Sequence, residues 1–476
     1  MSEFLRDFVS VANYFFLLYV VCYAVLLFFA AIYGSVVSDR RMKLKEYQAT
    51  LSLQDMTNYF PISILVPAHN EELTILDAVS SLTKLDYSEY EVIVIDDGST
   101  DATAEVLIEA LDLKRTNRPV RLQTSCLPIK ALYESEGQKP HIMLAIKENG
   151  GKADALNMGV NLSSYPYFLT MDADSILQKD ALQKIIMPVI EDSRVIAVGG
   201  SVQVANETLI RDGVIEEHRF PSKPLVLLQL LDYSRTFMGM RLLLDAFNGN
   251  MIISGACGLF RKDLVIQVGG YNTNIVGEDM ELVVKLHAFC RRGHIPYRIV
   301  YASDAVCWTQ VPSTLSDLKT QRRRWHMGLF QSLGIHKEAL FNPTYGSMGL
   351  LSMVYYLLLE AVEPVIELLG LTVILLAAYL QMLNIPFMIW YFFLFFLLST
   401  LVTITSFFMR NYTLSVQLTV WQAIKVILFS FIESLGFHQL LSVYRMSAFV
   451  NYRRDRHHWG TIKRDTHTRD KEKNTG

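Results

Sequence analysis

Two apolar zones bracket this chain, and they limit its fold more than any other feature. The first runs from about Tyr14 to Val37 and is interrupted only by Tyr, Cys, Gly and Ser. Residues 13–37 therefore read as one helix, long enough for a hydrocarbon core of roughly 30 Å. The second zone fills residues 346–450. A mean hydropathy of +0.25 with 51% hydrophobic residues fits membrane spans added to a soluble part better than one large globule.

The start of the chain carries Glu3 and Asp7 against Arg6. A secretory signal opens on positive charge and has a shorter apolar region, so a true span is expected. Its other flank, Asp39-Arg40-Arg41-Met42-Lys43-Leu44-Lys45, is basic. The positive-inside rule then puts the N-terminus outside and the soluble part in the cytosol, as in a multi-pass protein of the inner or plasma membrane. In the second zone, only Glu360, Glu363 and Glu367 around Pro364 break the run from Gly346 to about Leu383. We expect an interfacial lead-in, a proline kink and a span ending near Gln381. The acids would face protein, a watery path or the headgroups. Asn384-Ile385-Pro386 would turn outside, and Phe387 to Phe408 would return. Trp421 to Val450 contains Lys425, Glu433, His438 and Arg445, and is open between a span, a hairpin and an amphipathic helix. The basic tail, residues 451–476, favours a cytosolic C-terminus and an even number of crossings after the soluble part.

Between the zones, residues 58–312 alternate strand and helix patterns, which predicts an α/β domain with a mostly parallel, Rossmann-like sheet. Ile62 to Pro67 reads as a buried strand, Glu72 to Leu82 as the next helix, and Glu91 to Ile95 as a second strand. That strand ends in Asp96-Asp97-Gly98-Ser99-Thr100-Asp101, either a helix cap or a place where acids meet a base or ribose. Asn149-Gly150-Gly151-Lys152 carries a lysine into a helix, where it could meet a phosphate or solvent. The apolar strand from Tyr167 stops on Asp172-Ala173-Asp174. Side chains two apart on extended backbone point the same way, so this pair could share a hard cation, although an exposed turn is the bland alternative. The net charge of -3 argues against a nucleic-acid partner, and five scattered cysteines without a C-x-x-C pair read as packed, reduced thiols.

Six motifs in order resemble glycosyltransferase family 2: Pro67-Ala68-His69-Asn70-Glu71-Glu72, Asp96-Asp97-Gly98-Ser99, Gly150-Gly151-Lys152-Ala153, Asp172-Ala173-Asp174, Gly277-Glu278-Asp279 and Gln321-Arg322-Arg323-Arg324-Trp325. The last, Q-x-x-R-W, is similar to that of the membrane-integrated branch, the synthases of cellulose, hyaluronan, chitin and poly-N-acetylglucosamine. The resemblance implies a GT-A-type domain at 58–312, amphipathic interface helices at 313–345 and a channel region at 346–450. It implies Mg²⁺ or Mn²⁺ held by Asp174 and Asp172, with Asp172 facing the metal or the ribose. Pro67, Glu71, Asp96, Asp97, Lys152 and Arg324 would also serve the donor, Asp96 or Asp97 reading the uracil and Arg324 reaching the diphosphate. His69 stands where an aromatic ring is expected.

Asp279 would be the general base, with Glu278 orienting it or the acceptor; capping the following helix is the alternative. Ser254 and Gly255, within Asn250 to Cys257, would frame the acceptor together with Gln321 and Trp325. Arg322 and Arg323 are accounted for as an interfacial anchor of a basic amphipathic helix. The reaction implied is inverting, processive transfer from a UDP-sugar, UDP-N-acetylglucosamine first and UDP-glucose second, to a growing polysaccharide passed across the membrane. Transfer of one sugar to a lipid acceptor, and an inactive transporter or scaffold, are the rivals. No R-x-x-x-R motif is found, so control by cyclic-di-GMP would need a partner such as an accessory membrane subunit.

Overall fold

The structure, a computed structural model, describes residues 2–50, 60–211, 213–217 and 219–450. The basic tail expected in the cytosol lies outside the described residues. The strands are β1 (Ile62–Ala68), β2 (Tyr90–Asp96), β3 (Lys114–Thr116), β4 (Ile129–Glu134), β5 (His141–Lys147), β6 (Tyr167–Thr170), β7 (Ile176–Leu177), β8 (Val195–Val204), β9 (Leu209–Arg211), β10 (Val214–Glu217), β11 (Gly258–Arg261) and β12 (Arg298–Thr309). Ten share one sheet in the order β3-β4-β5-β2-β1-β6-β11-β8-β12-β7, and β9 pairs with β10 separately. The central neighbours β5, β2, β1 and β6 run parallel, as do β8 and β12, while β11 enters antiparallel between β6 and β8.

Strands covered on both faces need apolar residues at every position, and β1 and β2 have them. Ile62, Ile64, Val66, Val92 and Val94 point into one core cluster, whereas Leu65, Ile93 and Ile95 point into the cluster on the opposite face. The expected α/β architecture is therefore present, with parallel strands at its centre. One local expectation is corrected. The strand with the acidic pair ends at Thr170, and Asp172 to Ser175 form a turn closed by Ser175 N–H donating to the Asp172 carbonyl at 3.0 Å.

The N-terminal helix, Ser2–Thr50, is longer than its apolar core. Past the apolar zone it docks on the soluble domain, where Arg41 donates to the Tyr301 carbonyl at 2.7 Å and pairs with Asp245 at 3.0 Å. Among the described residues, three helices are long and apolar enough to cross a membrane: Phe4–Leu44, Ile385–Thr413 and Val420–Phe449. A bent pair, Met348–Ala361 and Glu363–Tyr379, meets the same test jointly with a 50° bend. Pro364 sits in the first turn after that break, where its missing N–H is tolerated. The Q-x-x-R-W motif lies on the helix Leu315–Ile335, capped by Thr314, which accepts from Asp317 N–H at 3.2 Å.

Candidate active site

Because β5, β2, β1 and β6 are parallel, their carboxyl ends share one edge, where open α/β sheets bind ligands. A cavity of about 1450 Å³ opens there. Its wall includes Pro67, His69, Asp97, Lys152, Asp172, Asp174, Ser254, Gly255, Glu278, Asp279, Gln321, Arg324 and Trp325. Most of the residues expected from the sequence are thus brought together from separate segments of the chain.

Two expected donor residues are not on that wall. Glu71 instead accepts a hydrogen bond from Thr74 Oγ1 at 2.8 Å, at the start of the Ile75–Leu82 helix. Asp96 is buried, accepts from Ser99 N–H at 3.1 Å, and has its carboxyl raised by that burial. Asp97 does reach the wall, but its carboxylate is committed to building the glycine loop. It pairs with the fully buried Lys147 at 2.6 Å and accepts from Gly150 N–H at 3.0 Å and Gly151 N–H at 2.7 Å. Asp154 holds the other side of Lys147, also at 2.6 Å. Gly151 adopts φ +85, a left-handed conformation that other residues resist. Of the two carboxylates expected to read the base, the one that reaches the cavity is therefore a structural strut. His69 and Asn149 line the cavity beside it.

The loop delivers Lys152 at the first position of the helix Lys152–Leu162. Its ammonium pairs with Asp172 and stands 3.9 Å from Glu278 Oε1. Burial would lower its pKa, yet the charges of Asp172 and Glu278 outweigh that and hold it above its ordinary value. Asp174 behaves oppositely: burial, reinforced by the Asp172 charge, pushes its carboxyl well above the usual range despite Lys152 and Arg324. A half-buried carboxylate beside a second acid on one turn is a donor set that fits a hard divalent cation.

Opposite this turn, Glu278 and Asp279 open the helix Glu278–Arg292. Glu278 is buried and its carboxyl is raised by burial, with the Asp279 charge adding and the Lys152 charge opposing. Asp279 accepts from Gly255 N–H at 3.3 Å and Met280 N–H at 2.8 Å. A Cβ at Gly255 would lie 2.9 Å from Lys152 Nζ, so any side chain there would have to displace the tip of the lysine. The Q-x-x-R-W helix closes the third side. Trp325 is 43% exposed with its ring 6.3 Å from that of Tyr233. Gln321 is buried, and its Oε1 has no hydrogen-bond partner, a polar atom left for a ligand to satisfy.

Arg322 corrects the sequence reading. It does not anchor the helix at an interface: it is buried, pairs with Asp232 at 2.8 Å, and lies under Trp325 with its guanidinium 4.7 Å from the ring centroid. A second contact also escaped sequence reasoning. Gly277 and Gly328 meet backbone to backbone, since a Cβ on Gly328 would fall 2.7 Å from Gly277 Cα. Gln331 Oε1 accepts from Val276 N–H at 2.9 Å and Ser332 Oγ donates to the Gly277 carbonyl at 3.4 Å. The signal available was a glycine inside a helix, which normally destabilises by about 1 kcal/mol and so asks for a packing reason.

Paired acids under a lysine suit a transferase whose leaving group is a diphosphate. Sequence comparison makes the class specific. The pattern described as "Glycosyl transferase family group 2" matches residues 167–424, and that of "Glycosyl transferase family 2" matches residues 63–125. The chain belongs to glycosyl transferase family group 2. It is similar to the poly-beta-1,6-N-acetyl-D-glucosamine synthase of Staphylococcus aureus (strain COL), 32% identical over 315 residues, 66% of this chain and 63% of the relative. The synthase of that name from Staphylococcus epidermidis is 31% identical over 267 residues, 56% of this chain and 54% of the relative. The chain thus spans less than two thirds of the length of these curated relatives. Among solved structures it resembles the mannosyltransferase PcManGT from Pyrobaculum calidifontis in complex with GDP-Man and Mn2+, with TM-score 0.47, 16% identity and coverage of 90% of this chain and 99% of that one. It also resembles Staphylococcus aureus TarS 1-349 in complex with UDP-GlcNAc, with TM-score 0.37, 13% identity and coverage of 83% and 93%. Likenesses this distant carry no argument about substrate.

Proposed function

We propose that this chain is an inverting, processive β-glycosyltransferase that polymerises N-acetylglucosamine from UDP-N-acetylglucosamine and passes the product across the membrane. The observation that carries the proposal is the continuity of the cavity. From the acidic turn it extends past Trp325 to Tyr355, Tyr356, Glu360, His438 and Arg445 on the helices of the C-terminal zone. A lone transfer site would need only the first part. The printed name of the staphylococcal relatives supports N-acetylglucosamine over glucose as the sugar.

In this reading Asp174 and Asp172 hold Mg²⁺ or Mn²⁺, which supplies positive charge to the departing diphosphate. Lys152 and Arg324 add to that charge from the protein side. Gln321 and Trp325 hold the acceptor sugar, and Ser254 and Gly255 press it towards the donor. Asp279 takes the proton of the acceptor hydroxyl as its oxygen bonds to the anomeric carbon and the bond to UDP breaks, so configuration inverts in one displacement. Glu278, buried beside Lys152, keeps the two carboxylates and the lysine in register.

We read the catalytic domain as cytosolic. Leu418, in the turn after Ile385–Thr413, packs against the apolar cluster that includes Val204 and Leu230 of the soluble domain, so that turn is on the catalytic side. The bent pair then crosses outward, the 384–386 turn is outside, and Ile385–Thr413 returns. Val420–Phe449 touches the soluble side near both ends, Val426 within the apolar cluster that holds Val226 and Leu230, and Phe449 against His326 and Phe330. It is read as lying along the domain at the interface, which leaves the C-terminus cytosolic after an even number of crossings.

Purified protein given labelled UDP-N-acetylglucosamine and Mg²⁺ should build long β-linked polymer without other proteins, dispensing with an accessory subunit. A single sugar on a lipid would select the alternative transferase, and preference for UDP-glucose the other donor. Absence of transfer from either donor would sink the proposal.

A further inference from the structure

Away from the large cavity, the structure buries a positive charge that it does not neutralise. Arg410 sits in the last turn of Ile385–Thr413 and is 3% exposed. Its Nε donates to Gln203 Oε1 at 2.6 Å and its Nη1 to Asn411 Oδ1 at 3.3 Å. Both partners are neutral, and no carboxylate pairs with it among the described residues. Three other arginines of this region, Arg322 buried and Arg235 and Arg445 half-buried, each have an acid within 4 Å: Asp232, Glu433 and Glu363 respectively. Burying a guanidinium without a counter-charge is costly, and the negative end of its own helix offsets only part of that cost. A counter-ion from outside the chain would close that gap.

The geometry around Arg410 provides room for one. It lines a second pocket, of about 30 Å³, whose wall also includes Asn206, Thr208, Arg219, Asn411 and Gln422. This volume is on the scale of one small anion or a water or two. The lining offers the Arg410 guanidinium, amides and a hydroxyl, and among the described residues no acid. With Nε and one Nη1 proton used, Nη2 and the second Nη1 proton remain, and such a pair on one guanidinium plane is suited to bidentate capture of a phosphate oxygen pair. The pocket lies near the end of Ile385–Thr413, beside the soluble domain, and in the membrane placement proposed above this is headgroup depth.

We propose that this pocket is a binding site for a single phosphate-class oxyanion, with Arg410 as its main ligand, and that occupancy fastens the turn 414–419 to the catalytic domain. The group could be the phosphodiester of a lipid or free phosphate. The lipid source alone rests on the membrane placement given above.

The test is the thermal unfolding midpoint of the full chain in a maltoside detergent and chloride buffer, titrated separately with inorganic phosphate and with phosphatidylglycerol. The wild type should rise by several degrees and saturate with at least one of them. A response to phosphate identifies the free ion as sufficient, and a response only to phosphatidylglycerol identifies the lipid. Arg410→Gln should melt no lower than wild type in chloride alone, since a buried charge has been removed, and should lose the response. Arg410→Lys keeps the charge without the fork, so the half-saturating concentration should rise at least tenfold; this variant decides the matter if Arg410→Gln does not fold. No rise in the wild type, or equal half-saturation in wild type and Arg410→Lys, overturns the proposal.

Discussion

Replacing Gly328 by alanine tests whether the Q-x-x-R-W helix sets the position of the base. The added Cβ would lie 2.7 Å from Gly277 Cα and 3.0 Å from Gly277 N. Unstrained carbon contacts are near 3.7 Å, so the two backbones must part by roughly 1 Å. Neither can give locally, because Gln331 and Ser332 bind the same 276–277 segment. Overpacking of this kind costs about 1–3 kcal/mol, and alanine in a helix returns about 1 kcal/mol, so the protein should remain folded. Glu278 and Asp279 follow Gly277 directly and would move with it. A displacement of about 1 Å at a reacting group lowers rate by about a hundredfold. Transfer at saturating donor should fall by that factor, while UDP affinity by calorimetry stays within about threefold, because the donor wall stands on the sheet. Gly334→Ala on the same helix is the control: no atom lies within 4 Å of its Cβ, so it should be neutral or slightly stabilising. If Gly328→Ala transfers within about threefold of wild type, or Gly334→Ala loses as much, the contact does not position the base.

Asp279→Asn keeps shape but removes the proton acceptor, so transfer and slow donor hydrolysis should drop together by about a hundredfold with nucleotide affinity little changed; loss of binding in proportion would move Asp279 to the donor site and make Glu278 the next base to test. Asp174→Asn should abolish transfer and weaken nucleotide binding only when Mg²⁺ or Mn²⁺ is present, and an equal loss without metal would leave the acid a structural role. His287 is buried between Tyr297 Oη at 2.7 Å and the Asn250 carbonyl at 2.9 Å, and burial lowers its pKa to about 4. The native state thus excludes a proton that the unfolded chain accepts near pH 6.5, so stability is intact above that pH and declines as pH falls towards 4, by about 3 kcal/mol from this group. Melting of His287→Gln should depend less on pH across that window, and parallel profiles would exclude His287 as the cause.

What was legible in the sequence was whatever depended on neighbours along the chain. Strands β1 and β2 announced themselves because burial on both faces demands unbroken apolar runs, and the acidic and glycine motifs because turns need particular residues. The turn at Asp172 was missed because two acids after a strand look the same whether the backbone stays extended or folds back. The structural engagement of Asp97 was hidden because its partner, Lys147, lies 50 residues away, and nothing local marks a carboxylate as already paired. Arg322 was misread for the same reason, since a charge on an amphipathic helix looks solvated until Asp232 is brought beneath it. The helix Val420–Phe449 stayed ambiguous because hydropathy does not distinguish a lipid-facing surface from one laid against protein.

The two halves of the site are built in different ways, and this bears on how a polymerising enzyme could advance its product. The donor half stands on the ends of parallel strands and on the Lys147 strut, all within one sheet. The acceptor half is tied to the apolar zones. Arg322 under Trp325 pairs with Asp232, neighbouring Arg235 pairs with Glu433 at 3.3 Å, and Glu363 after the bend pairs with His438 at 2.9 Å and Arg445 at 3.2 Å. Buried pairs of this kind add little net stability over apolar packing, but removing one partner is severe, so they act chiefly to fix which groups meet. Under the proposed function, small shifts of the C-terminal helices should be felt at Trp325 and Gln321 more than at Asp172 or Lys152. A chain that must hold its donor still while its acceptor moves by one sugar after each transfer needs this division.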